Sequence, residues 1–253
     1  MKLILNGDDF GITKACNYAI IDCFKDGVLT STSMMTNMPG AKHAAMLMKE
    51  YPDLSVGIHL NLTVGKPLTN CPTLLKEDGT FNKGMLKNSE NVSQNEIRQE
   101  LQAQIDRFIE LTGKIPDHLN SHHGIEVIKG AEKVVCELAN KYQLPVRRFF
   151  TLPEGNHPDL PYEVPKINGF VQKDHPYNLD TDLISYYTKE DLESDAIYEY
   201  AAHPGYVDYE ILQFSSLTTG RAYDAQVFLS DKVKQWIKGN HIELVNYKVL
   251  KKL

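Results

Sequence analysis

Hydrophobic positions along the chain switch repeatedly between a period near two and a period near 3.6, which lays out strands alternating with helices. Leu3-Ile4-Leu5 is a short apolar run followed by Asn6-Gly7-Asp8-Asp9-Phe10-Gly11, so we expect a buried strand that stops at two adjacent carboxylates. Thr13 is placed to cap a helix carrying Ala15, Tyr18, Ala19, Ile21, Cys23 and Phe24, and Asp26-Gly27 closes it. Residues 28–36 suit a second strand. Pro39-Gly40 opens a helix through Met48, and residues 54–62 alternate as a third strand with His59 near its end. Residues 65–91 are irregular, punctuated by Pro67, Pro72 and Asp78-Gly79.

Ser93-Gln94-Asn95-Glu96 reads as a capping box opening the clearest helix, with Ile97, Leu101, Ile105, Phe108 and Ile109 on one side and Gly113 beyond its end. A fourth strand exit falls at His118-Leu119-Asn120-Ser121-His122-His123-Gly124. A helix through Val127, Val134, Val135 and Leu138 follows, then a fifth strand over 145–150. Residues 151–182 are rich in Pro, Gly and Asn and suggest only one strand, near Phe170-Val171. Beyond them the pattern predicts a short acidic helix over 189–194 and a strand over 197–202 ending in His203-Pro204-Gly205-Tyr206. A helix over 224–238 and a last strand over 242–247 complete the chain.

Such alternation implies a parallel sheet with right-handed crossovers, open or closed into a barrel. We read residues 1–253 as a single domain, since no repeat, low-complexity tract or long linker divides them. In either architecture chemistry gathers at the carboxyl ends of the strands. The net charge of −6, with no Lys or Arg run longer than a pair, argues against a nucleic-acid partner. No apolar run approaches the ~20 residues a membrane helix needs, and Leu3–Leu5 is too short for a secretory signal. Cys16, Cys23, Cys71 and Cys136 form no Cys-x-x-Cys pair, so core thiols in a reducing cytoplasm are expected.

Five of the nine histidines (His59, His118, His122, His123, His203) fall at three predicted strand exits, and Asp8 and Asp9 fall at another. One carboxylate plus two histidines from different strands would suit a borderline divalent cation with a position left for water. The second carboxylate then remains as a base. Taken singly, His59 reads better as a hydrogen-bonded strand histidine and His203 as a turn former. Together they favour a metal-dependent hydrolytic site. His-Glu-x-x-His, the deaminase Cys pattern, Gly-x-Ser-x-Gly and the phosphate-loop Gly-x-x-x-x-Gly-Lys-Ser/Thr are all absent.

The segments Asn6–Gly11, Gly57-Ile58-His59-Leu60, His118–His123 and His203-Pro204-Gly205-Tyr206, in this order, resemble the YdjC-type carbohydrate deacetylases, which include chitooligosaccharide deacetylases. The resemblance implies a (β/α) barrel-like fold of the glycoside hydrolase/deacetylase type and removal of the acetyl group from a small N-acetylated sugar, free or phosphorylated. It further implies a divalent metal on Asp9, His59 and His122, Mg²⁺ by family habit with Zn²⁺ as the alternative. Asp8 would be the general base, His203 the general acid, and Arg147 the partner orienting Asp8. A small carbohydrate would be the partner, with no nucleic acid or membrane; a homodimer is compatible with all of this.

The chain departs from the family pattern His-x-Asp-Ser-His-His/Gln-His-x-His at three places. Asn120 stands where Asp is usual, and Gly124 and Glu126 stand where the last two histidines are usual. Two other classes therefore stay open at this point: a sugar-binding or regulatory protein of the same fold that has lost catalysis, and a glycosidase working with paired carboxylates. The loops 65–91 and 151–182 are expected to shape the sugar cleft.

Overall fold

The structure, a computed structural model, describes residues 1–149, 157–170 and 183–252. Among the described residues, seven parallel strands form one sheet: β1 (Lys2–Phe10), β2 (Ser31–Met34), β3 (Ser55–Leu60), β4 (Leu119–Ser121), β5 (Lys166–Phe170), β6 (Ile197–Ala202) and β7 (Glu243–Val245). The helices are α1 (Lys14–Lys25), α2 (Ala41–Glu50), α3 (Gln94–Thr112), α4 (Ala131–Tyr142), α5 (Lys189–Glu193), α6 (Ile211–Phe214), α7 (Thr219–Leu229) and α8 (Asp231–Gly239). The ladder runs β4-β3-β2-β1-β6-β5, and β7 lies beside the first half of β1 while β2 lies beside its second half. Every residue of β2 and β3 is buried, as expected for parallel strands covered on both faces.

Arg147 shows how strongly this sheet curls. Val146 bridges to Leu119, which puts it just outside β4, yet the Arg147 side chain reaches Asp8 on β1 and Glu199 on β6. In a flat sheet β1 would lie four strand spacings away, about 19 Å, far beyond an arginine. The sheet is therefore rolled into a barrel-like trough whose interior Arg147 crosses.

Most predicted elements stand where the pattern places them, with differences that have local causes. Thr13 caps α1, accepting from the Cys16 amide, and Gly113 ends α3 in the left-handed region at φ 69°. At the start of α3 only half of the expected capping box forms. Ser93 accepts from Glu96, but the Glu96 carboxylate instead accepts from the amide and hydroxyl of Thr73, pinning the 65–91 excursion to the helix. The expected fifth strand over 145–150 is reduced to the single bridge at Val146, and Phe150 lies outside the described residues. The strand expected near Phe170-Val171 is β5, ending at Phe170; positions 151–156 and 171–182 are likewise outside. The expected last helix over 224–238 is two helices. Ser230 leaves helical geometry with ψ 126° and caps α8 by accepting from Val233.

The glycine of Gly57-Ile58-His59-Leu60 has a packing reason. A Cβ there would lie 2.5 Å from the His118 ring, and that ring is stacked 3.9 Å from Tyr247 with nowhere to retreat. Gly57→Ala should therefore destabilise the protein by about 1–3 kcal/mol through overpacking. Urea unfolding monitored by circular dichroism would show the midpoint fall with an unchanged slope.

Candidate functional site

Adjacent strand residues ordinarily point to opposite faces, yet Asp8 and Asp9 both serve the same end of the sheet. The strand does not stop at them, as the sequence suggested; it runs on to Phe10 with a register irregularity between Gly7 and Phe10. Asp9 sits at φ 68°, a left-handed conformation Asp tolerates better than most side chains. This kink re-aims one carboxylate relative to the other, the usual use of a bulge beside a site.

Asp9 meets the two histidines. Its Oδ1 lies 3.3 Å from His59 Nε2 and 3.1 Å from His122 Nδ1, and those two nitrogens are 3.4 Å apart. All three residues are buried, and each can present one ligand atom within 4.8 Å of the others. Two imidazole nitrogens and a carboxylate oxygen gathered in this way form the donor set a borderline divalent cation takes. On the far side of Asp9, Arg221 on α7 donates to Oδ2 at 2.7 Å. Burial opposes the Asp9 charge, but Arg221 and His122 outweigh it and hold the carboxyl well below its usual range.

Asp8 belongs to a second charge system. Arg147 forks onto it, Nη1 to Oδ2 at 2.6 Å and Nη2 to Oδ1 at 2.8 Å, while Asn6 donates to Oδ1 at 2.8 Å and Ser33 at 3.2 Å. The guanidinium also donates to Glu199 from Nε at 2.9 Å and Nη2 at 2.6 Å, and Tyr247 donates to the other Glu199 oxygen. Against burial, Arg147 and the neighbouring His59 keep the Asp8 carboxyl low. For His59, burial is outweighed by Asp8 and Asp9, so its imidazole is shifted up.

His203, at the exit of β6, is set by its backbone: its amide donates to Asp224 Oδ2 at 2.9 Å, and its Nδ1 lies 3.9 Å from the same oxygen. Burial pushes the imidazole down to about 4 despite the nearby charges of Asp9 and Asp8. The residues after it are fixed by close approach. A Cβ on Gly7 would meet the Pro204 ring at 3.0 Å, and one on Gly205 would meet Arg221 Cδ at 3.1 Å. The turn His203-Pro204-Gly205 thus wedges β6 against β1 and α7.

The histidines of the fourth strand exit part ways. Only His122 joins Asp9 and His59. His118 is buried with both ring nitrogens unpartnered, stacked on Tyr247. His123, at φ 58°, is exposed at the rim but has its ring partly covered by Thr63 (Oγ1 at 2.9 Å) and Lys83 (Nζ at 3.2 Å); that partial desolvation and the His122 and Lys83 charges push its imidazole down to about 3. Gly124 (φ 62°) continues that left-handed turn, and Glu126 is buried and accepts from Ser121 rather than joining the cluster. Burial raises the Glu126 carboxyl.

Sequence reasoning missed Arg221, Glu199, Asp224, Asn6 and Ser33. Arg221 lies one turn before the point where the last helix was expected to begin. Its spacing from Asp224, three residues on, puts both on one helix face; that charged face reads from sequence as a solvated one, yet both residues are buried.

The YdjC-like protein family model matches residues 2–239. Among curated relatives, a carbohydrate deacetylase 2 of Listeria innocua is 39% identical over 98% of both chains. A chitooligosaccharide deacetylase of Proteus mirabilis is 33% identical over 98% of both. A crystal structure of an Enterococcus faecalis protein, named provisionally for cellobiose-phosphate cleavage, superposes with a TM-score of 0.82 at 28% identity over 98% of both chains. With the four motif segments folded to one end of a curled parallel sheet, and relatives matching from end to end, this chain belongs to the YdjC-like protein family.

Proposed function

We propose that the chain is a metal-dependent hydrolase removing the N-acetyl group from a small N-acetylglucosamine-containing saccharide, a chito-oligosaccharide or its phosphorylated form. The relatives named as carbohydrate and chitooligosaccharide deacetylases support the sugar and the reaction class. The observation that carries the reading is the separation of the two neighbouring carboxylates: Asp9 is grouped with His59 and His122, and Asp8 is held apart by Arg147.

Asp9, His59 and His122 would hold the cation, which supplies polarisation of the acetamide carbonyl and a lowered pKa for the attacking water. Two nitrogens and one oxygen suit Zn²⁺ or Co²⁺ better than Mg²⁺, which prefers oxygen donors in an octahedron, so we favour the former pair over the family expectation. Asp8, bidentate on Arg147, has its syn and anti lone pairs limited to fixed directions, and it would take the proton of the water. Because Arg147 keeps its carboxyl low, Asp8 is a weak base at rest and depends on the water being acidified.

Amide cleavage also requires the nitrogen to be protonated as it leaves, and His203 would deliver that proton. At rest the imidazole is neutral, because burial holds it near 4. The proton it donates must therefore reach it during the cycle; Asp224 accepts from the His203 amide and so fixes the backbone that carries the ring. The four cysteines are free and buried, in keeping with a reducing compartment. No helix among the described residues is long and apolar enough to cross a membrane.

Purified protein supplied with Zn²⁺ or Co²⁺ should release acetate from diacetylchitobiose, and a chelator should abolish this. Asp8→Asn should lower kcat by about 10²–10⁴ with little change in KM. Absence of acetate release with every metal and every N-acetyl sugar in a small panel would overturn the assignment. Arg221→Met leaves Asp9 buried without its cation and should lower the stability of the metal-free protein by about 3–5 kcal/mol. Saturating Zn²⁺ should recover part of that loss in a chemical denaturation series; an equal loss with and without metal would show that Arg221 does not act through Asp9.

A further inference from the structure

Asn120 stands between the two charge systems, and its amide cannot satisfy both. With its oxygen toward His59, that oxygen is 2.7 Å from His59 Nδ1, and the –NH₂ lies 3.0 Å from Ser33 Oγ and 3.3 Å from Asp8 Oδ1. Turned the other way round, the nitrogen donates to His59 Nδ1 at 2.7 Å and to the Ile58 carbonyl at 3.2 Å. The oxygen then accepts from Arg147 Nη2 at 3.1 Å and Nη1 at 3.2 Å. Both orientations partner each end of the amide; the second adds the Ile58 carbonyl and two guanidinium donors, against an amide oxygen brought to 3.3 Å from Asp8 Oδ1. The first sets the –NH₂ hydrogens against the guanidinium hydrogens of Arg147.

These orientations demand different tautomers of a neutral His59. When the amide nitrogen faces Nδ1, that ring nitrogen must be the acceptor and the ring proton sits on Nε2, where it points at Asp9 Oδ1. When the amide oxygen faces Nδ1, the proton sits there and Nε2 is left with a free lone pair. Only the latter lets Nε2 serve as a ligand atom. A carboxylate at position 120 would not face this conflict, since both of its oxygens accept, one from His59 Nδ1 and one from Arg147.

We propose that Asn120 is a positioning residue that couples the His59 tautomer to Arg147, so that binding a cation at Asp9, His59 and His122 requires the amide to turn away from its better-satisfied orientation. The inference rests on the metal site proposed above. Its consequence is a site of lowered affinity: the amide contacts to Arg147 are given up when His59 Nε2 becomes a ligand, whereas Asp at this position would keep them. Partners of ligating histidines are worth about 10–100-fold in metal affinity, and the effect should fall in that range.

Histidine ¹⁵N NMR of the metal-free protein at about pH 9, above the ordinary imidazole pKa of about 6.5, reads the tautomer directly. His59 should carry its proton on Nε2, and adding Zn²⁺ should move it to Nδ1. A His59 already protonated on Nδ1 without metal would overturn the inference. In Asn120→Asp the proton should sit on Nδ1 with or without metal, which added negative charge alone would not bring about. A Co²⁺ titration against a competing chelator should give the variant a dissociation constant at least about tenfold lower than the native chain. Equal or weaker binding by the variant, with Co²⁺ still bound by the native chain, overturns the inference alone. Failure of both proteins to bind Co²⁺ would remove the metal site as well.

Discussion

Two carboxylates one residue apart, both withdrawn from water, make an arrangement that no strand holds unless each is given its own positive partner. Burying a lone charge costs several kcal/mol after relaxation, and two like charges add their repulsion. The chain meets this constraint from opposite sides, with Arg147 entering from beyond β4 to clasp Asp8 and Arg221 reaching down from α7 to Asp9. Much of the local architecture follows. The kink at Asp9 separates the two side chains, the curl of the sheet brings Arg147 within reach, and the wedge at Pro204-Gly205 brings α7 close enough for Arg221. Arg147 is itself balanced by Glu199, and Glu199 by Tyr247, so the interior carries a chain of charge-assisted bonds rather than isolated pairs.

What the sequence made legible was the set of places where an apolar run ends in a carboxylate or an imidazole. Asp8, Asp9, His59, His122 and His203 could be singled out because polar residues at the ends of buried parallel strands stand against the pattern around them. Arg147 fell inside a predicted strand but was assigned a role only through the resemblance, and that strand proved to be one bridge. Arg221 and Asp224 were not legible. They lie on a helix, where charge is the expected surface content, and only the tertiary position of α7 turns that face inward. Glu199 was hidden differently, since alternation in Ile197-Tyr198-Glu199-Tyr200 reads as a solvated face while here that face lines the interior of the trough.

The fourth strand exit shows why residue type alone could not finish the assignment. His118, His122 and His123 are close in sequence and look like one cluster. The strand between them directs His118 downward into the Tyr247 stack, and the left-handed pair His123-Gly124 sends the third ring outward to Thr63 and Lys83. Backbone direction, set by three short residues of strand and one tight turn, divides three identical side chains among packing, the candidate metal cluster and the rim.

The same segment places Asn120 where the two charge systems touch. Ser33 and Asn120 are neutral groups that contact both Asp8 and His59, so the halves of the site are separated by hydrogen-bonding atoms alone, without a charge of their own. A neutral divider leaves each carboxylate to its own arginine and keeps a third negative charge away from Asp8, which already shares Arg147 with Glu199. The arrangement that a carboxylate at position 120 would favour for His59 is the one that would crowd three acidic groups around one guanidinium. The chemistry of this site is therefore set less by the residues that would hold a cation than by how the charges behind them are divided, and in this chain that division runs through an amide.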